Sequence, residues 1–88
     1  MTTDELVVEC KKGLNIAVDN TELDGILKQK IIAVKSFLKN GGVSEEVMAT
    51  DDAIGVIVVG VTDLWELKAG EVKFSPVFFT LATQLASG

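Results

Sequence analysis

The chain has 88 residues, 48% of them apolar, with 13 acids against 8 bases for a formal charge of −5. That is one small domain, burying only about 60% of the surface its unfolded chain exposes. Its apolar content excludes disorder and favours self-association or a partner.

The residues that are missing narrow the chemistry. The sequence has no histidine, tyrosine or arginine, and all eight bases are lysines. The usual catalytic triads, the commonest neutral-pH base and most zinc sites are thereby removed. Cys10 is the single cysteine, so neither an intrachain disulfide nor a CxxC pair exists. A net negative charge without arginine argues against tight nucleic-acid binding. The longest apolar run, 53–61, covers nine residues including two glycines, where a membrane helix needs about 20. No basic segment followed by an apolar one opens the chain, so no secretory leader is expected. An enzyme is not expected either, and no catalytic, cofactor-binding or metal-binding residue is assigned.

Thr2 and Glu5 fit a capping box at the head of a first helix over 3–12. Asp4 and Glu5 stand at its positive end and Lys11 and Lys12 at its negative end. Leu6, Cys10 and Leu14, with Val7 beside them, form its buried stripe, and Gly13 is the expected terminator. Cys10 reads as a small buried hydrophobe, since only lysines neighbour it as activators. A connection covers 15–20, and Asn20 or Thr21 is expected to cap a second helix. Its buried face is read as Leu23, Ile26, Leu27, Lys30, Val34, Phe37 and Leu38. Lys28, Lys35 and Lys39 lie opposite, and Asn40-Gly41-Gly42 supplies a left-handed cap. The acids of 19–25 lack the twelfth-position glutamate of a calcium loop and read as a helix start.

Ser44 is positioned to cap a helical turn containing Glu45 and Glu46, with Val47 and Met48 facing inward. The segment 51–65 pulls two ways. Its β-branched residues and glycines favour a strand by propensity. Ile54, Ile57, Val58, Val61, Leu64 and Trp65, however, recur at helical spacing over three turns, so it is read as a helix capped by Asp51 or Asp52. Gly55 and Gly60 then let another backbone approach closely, and Val56 and Val59 lie off the buried face. Ala69-Gly70 marks a turn, and 71–74 suits a short extended segment. Ser75-Pro76 starts a last helix, serine as N-cap and proline at N1. Phe78, Leu81, Ala82 and Leu85 form its buried face, leaving Phe79 as an exposed or interface aromatic. The fold class is all-α, a single small bundle of about four helices.

This order of elements resembles the head–tail connector (adaptor) family of tailed bacteriophages, including its prophage-encoded members. The resemblance covers nearly the whole chain. Its carriers are Asp4-Glu5-Leu6-Val7-Val8 with Gly13-Leu14-Asn15-Ile16, then Thr21-Glu22-Leu23-Asp24-Gly25-Ile26-Leu27. The third helix closing on Asp63-Leu64-Trp65-Glu66 and the ending Phe74-Ser75-Pro76-Val77-Phe78-Phe79-Thr80-Leu81 complete it. It implies a structural virion protein without a catalytic site, forming a ring of about a dozen copies beneath the portal. The implied partners are other copies of the chain, the portal protein and a tail-side connector. DNA would pass through the channel without specific binding, and no membrane is involved. The implied place is the head–tail interface of the virion, after assembly in the bacterial host cytoplasm.

The apolar positions left after assigning the core faces nominate Val56, Val59, Phe79, Gln84 and Leu85 for subunit or portal contacts. Lysine at both Val56 and Val59 is expected to leave the monomer folded and abolish assembly. The alternative is a small acidic helical regulator or binding module acting on one protein partner. An acyl carrier is excluded, because Ser36, Ser44, Ser75 and Ser87 all lack an Asp-Ser-Leu setting.

Overall fold

The computed structural model describes residues 2–65, 67 and 73–87. They form α1 (Thr3–Gly13), α2 (Asp24–Asn40), α3 (Glu45–Met48), α4 (Asp51–Leu64) and α5 (Pro76–Ser87), with no strand. The fold is an all-α bundle. α4 lies at its centre and packs against each of the other four helices.

The first helix begins as its sequence dictates. Thr2 Oγ1 accepts from the Glu5 amide at 3.2 Å, and Glu5 Oε1 accepts from the Thr2 amide at 3.1 Å. The Thr2 amide foremost, and the Thr2 hydroxyl, which donates to the same Oε1 at 3.0 Å, hold the Glu5 carboxyl below its ordinary range. Leu6, Val7 and Cys10 are buried as expected, while Leu14 is only partly so. The helix end corrects the role of Gly13. The left-handed residue is Asn15, φ 60°. Its N–H donates to Lys12 O at 3.3 Å and that of Ile16 to Lys11 O at 2.8 Å, the paired bonds of a Schellman motif. Packing, not conformation, requires glycine at 13: a Cβ there would meet Val58 Cγ1 of α4 at 2.7 Å.

α2 starts later than its capping residues suggest. Asn20 Oδ1 accepts from the Glu22 amide at 3.1 Å, and the Asp24 amide bonds Thr21 O at 3.2 Å. The polar residues therefore build a turn ahead of the helix, and the N-cap is Leu23 with no side-chain bond. The buried seam is Leu27, Ile31, Val34 and Leu38. Ile26, expected inside, is 47% exposed, and Ile31, which the predicted face omits, is fully buried. Each residue turns the helix by about 100°, so 26 and 27 cannot share the seam. At the far end Gly42 takes φ 101°, and bonds from Gly42 to Lys39 O and from Val43 to Leu38 O close a second Schellman motif.

Ser44 Oγ accepts from the Val47 amide at 3.2 Å and caps α3 as predicted. The cap of α4 is Thr50, without a side-chain bond. Asp51 and Asp52 sit instead in the first turn, where carboxylates favour the positive helix end. The whole of 53–61 is helical, so period prevails over β-propensity here. Its buried face is rotated from the predicted one. Ala53, Val56, Ile57, Gly60, Val61 and Leu64 are buried, whereas Ile54, Val58 and Trp65 are partly buried. Gly60, the smallest residue of this buried face, sits where neighbouring side chains come closest to the backbone. A Cβ on Gly60 would come within 2.6 Å of Phe78 and 2.8 Å of Val34, while one on Gly55 would meet nothing within 4 Å. The expected approach of another backbone is thus corrected at both: side chains, not backbone, crowd Gly60, and nothing crowds Gly55.

The turn expected at 69–70 and residues 71–72 of the extended segment lie outside the described residues. Lys73 and Phe74 have no regular structure, and Phe74 is buried against Phe78, ring centroids 4.1 Å apart and stacked.

Candidate functional site

α5 is fastened to α4 through a bond pair that its own sequence only half announces. Ser75 Oγ accepts from the Phe78 amide at 3.2 Å, the expected N-cap. Asp63 Oδ2, on the penultimate residue of α4, then accepts from both the Ser75 amide at 2.9 Å and the Ser75 hydroxyl at 2.8 Å. A carboxylate so near a helix C-terminus opposes the helix dipole. Two donors on one oxygen compensate it and set where α5 begins. Phe78 then enters the core beside Val34 and Gly60, and the ring of Phe37 on α2 lies 4.8 Å from Phe74 and 5.7 Å from Phe78. Aromatic pairs in such arrangements contribute about 0.5–1.5 kcal/mol beyond their buried area.

The outward side of α5 differs in kind from the rest of the surface. Every one of the 21 charged residues precedes Pro76, leaving this 12-residue helix with none. Val77 and Phe79 stand 61% and 47% exposed on it. Its hydroxyls turn back onto the helix: Thr80 donates to Pro76 O at 3.1 Å, Thr83 to Phe79 O at 2.8 Å and Ser87 to Thr83 O at 2.6 Å. Donors already bonded within the helix do not have to lose water partners when the face is covered. Depletion of charge with exposed aromatic and aliphatic groups is the composition of an interface core.

A groove flanks each side of this helix. One, about 280 Å³, runs between α5 and the first half of α4, with Val56, Leu81 and Leu85 below and Asp52 and Gln84 at the edge. The other, about 260 Å³, lies toward the end of α2, between Phe37, Gly41 and Phe79.

Three of the five nominated contact residues, Val56, Gln84 and Leu85, therefore line one groove. Phe79 belongs to the other. Val59 is half-buried, packed against the core, and lines neither. The premise that all five are left over from the core is corrected for two of them, Val56 at 6% and Leu85 at 8% exposure. They form the groove's floor because the buried face of α4 is turned toward α5. Lysine at Val56 would place a charge inside the monomer, so the expectation that a Val56–Val59 double lysine variant stays folded is withdrawn.

Elsewhere the polar groups are structural. Lys11 is 2% exposed; its Nζ lies 2.6 Å from Asp24 Oδ1 and donates to Val18 O at 3.2 Å. It clips the 14–23 connection to α2, where sequence reading had assigned it only a dipole role. Lys30, expected on the apolar face, is half-buried outside the observed seam and donates to Leu67 O at 3.2 Å. Cys10 is fully buried, and that burial, with the charge of Glu9, pushes its thiol up to about 11. No group of three or more His, Cys, Asp or Glu able to hold a metal occurs among the described residues. No helix among them is long and apolar enough to cross a membrane. Comparison with known protein families, curated proteins and solved structures returns no match.

Proposed function

We propose that the chain is a head–tail connector of a tailed bacteriophage, a structural virion protein that assembles as a ring beneath the portal and continues the DNA channel toward the tail. The observation that carries the reading is the closing helix. α5 is uncharged, its hydroxyls are internally bonded, and Val77 and Phe79 are exposed on it. The surface of such a helix, apolar at Val77 on one flank and Phe79 on the other, suits burial against other protein rather than catalysis or ligand chemistry. The resemblance of the whole element order to the connector family supplies the identity of those partners: further copies of the chain, the portal and a tail-side connector. The charge of −5 per copy, multiplied round a ring, suits a channel wall from which DNA must slide freely. In this reading the chain is not an enzyme.

Native mass spectrometry over a concentration series tests the proposal. A species of about twelve or thirteen subunits is expected, as heterologous contacts close into a ring. A dimer that stays a dimer at every concentration would overturn it in favour of a small acidic regulator with one protein partner.

A further inference from the structure

The end of α2 carries a reactive dipeptide as well as a cap. The chain has three asparagines, Asn15, Asn20 and Asn40, followed in turn by Ile16, Thr21 and Gly41. An asparagine side chain is cyclised when the backbone nitrogen of the next residue attacks its Cγ. The bond from that nitrogen to Cγ forms, the bond from Cγ to the side-chain nitrogen breaks, and the latter takes the backbone proton and leaves as ammonia. Water then opens the cyclic imide at either carbonyl, giving aspartate or isoaspartate. A β-branched side chain on the following residue blocks the approach, and glycine leaves it open. Asn40, exposed at the last position of α2, is therefore the asparagine whose neighbour lets the ring close.

The fold holds the reacting atoms apart. Asn40 is helical, and ring closure requires its ψ to leave the helical region so that the Gly41 nitrogen can swing toward Cγ. That nitrogen is also committed. Its N–H donates to Phe37 O at 3.0 Å and to Leu38 O at 3.1 Å, and the nitrogen must give up this proton to attack. Two further bonds close the turn, from the Gly42 N–H to Lys39 O at 3.1 Å and from the Val43 N–H to Leu38 O at 3.0 Å. Gly42 permits them by taking φ 101°, and buried Val43 anchors the exit. The turn itself lies outside the core, since Asn40, Gly41 and Gly42 are all exposed. An exposed helix end of this kind opens far more often than the whole chain unfolds.

We propose that Asn40 is a site of spontaneous deamidation gated by the C-cap of α2, protected while the cap is closed and converted by water to aspartate or isoaspartate when the last turn opens. The step needs no enzyme and no reactant besides water. Its products do not restore the cap. Either one places a carboxylate at the negative end of α2, beside a Lys39 whose charge is already shared with Glu45 at 3.4 Å. Isoaspartate in addition routes the backbone through Cβ and Cγ, adding one carbon before the Gly41 nitrogen. The bonds to Phe37 O, Leu38 O and Lys39 O then cannot all re-form. Gly41 also lines the groove that Phe37 and Phe79 share beside α5, so conversion reshapes that surface. This chemistry is independent of the connector reading and holds whatever the chain assembles with.

Peptide mapping of the full-length protein, incubated at mildly alkaline pH with and without urea, follows the conversion of residue 40. Mass spectrometry counts the deamidated peptide, and enzymatic methylation counts isoaspartate. The folded chain is expected to convert measurably, at a rate about tenfold or more below that in urea. Gly42→Ala forces a side chain into the left-handed region and should speed the folded reaction by about fivefold or more. Gly60→Ala, which weakens the packing of α4 and leaves the cap in place, should not change it. Three results would each overturn the proposal. Conversion as fast in the folded chain as in urea would mean that the cap protects nothing. Product in urea and none in the folded chain would mean that the turn does not open. Equal acceleration by Gly42→Ala and Gly60→Ala would mean that only global unfolding exposes the site.

Discussion

Gly55 and Gly60 lie on the same helix, five residues apart, and alanine at each should move stability in opposite directions. In an exposed helix interior, glycine to alanine is worth about 0.8–1 kcal/mol, through the entropy that glycine loses on folding. Gly55 is exposed and its added methyl would meet nothing within 4 Å, so Gly55→Ala should gain close to that full amount. Gly60→Ala has the same propensity gain and a steric cost. Its Cβ would lie 2.6 Å from Phe78 Cε1 and 2.8 and 3.0 Å from the two methyls of Val34, against an optimal carbon separation of about 3.5–4.0 Å. Neither neighbour can yield cheaply. Turning Val34 about χ1 replaces one methyl by the other, because both already face the site. Phe78 is fully buried and stacked on Phe74 at 4.1 Å. An overpacking cost of about 2–3 kcal/mol less the propensity gain leaves Gly60→Ala destabilised by about 1–2 kcal/mol. Urea unfolding of the two variants beside wild type measures both changes. Since 1 kcal/mol shifts Tm by roughly 4–8 °C in a domain of this size, the variants should melt on opposite sides of wild type. Equal stabilisation of both would show that α4 does not approach Phe78 and Val34 as described.

Lys11→Ala should cost about 2–3 kcal/mol in urea unfolding, below the usual range for breaking a buried ion pair because Asp24 keeps access to solvent; a loss under 0.5 kcal/mol would show that the 14–23 connection is not held this way. Ser75→Ala and Asp63→Ala should each cost about 1–2 kcal/mol. Since both act on one joint, the double variant should lose clearly less than their sum, and strict additivity in a double-mutant cycle would refute the shared bond pair. Cys10 should react with a soluble thiol reagent only as fast as the chain opens. Its folded thiol titrates at about 11 against an ordinary value of 9.0, so the contribution of this thiol to stability is fully present below pH 9 and is lost as pH rises toward 11. Rapid labelling of the folded protein at pH 8 would contradict its burial.

What could be read without coordinates was whatever a few neighbouring residues decide among themselves. The Thr2–Glu5 box, the Ser44 turn and the Ser75-Pro76 start each bond groups within three residues of one another, so the pattern contains its own structure. The helical state of 53–61 was also legible, because a period sustained over three turns outweighs the strand preference of single valines. The class of fold follows from these local facts. Rotation of each helix about its axis does not, because it depends on which neighbours arrive. That is why Ile26 and Ile31 exchanged places, and why Val56 became the floor of a groove. It also explains the misjudged glycines and charges. Gly13 is fixed by Val58, 45 residues away along the chain, and Lys11 and Asp63 find partners across a loop that sequence spacing does not measure. The contact surface divides along the same line. The absence of charge from the last helix is written in the chain, but the groove beside it exists only once α5 is laid against α4.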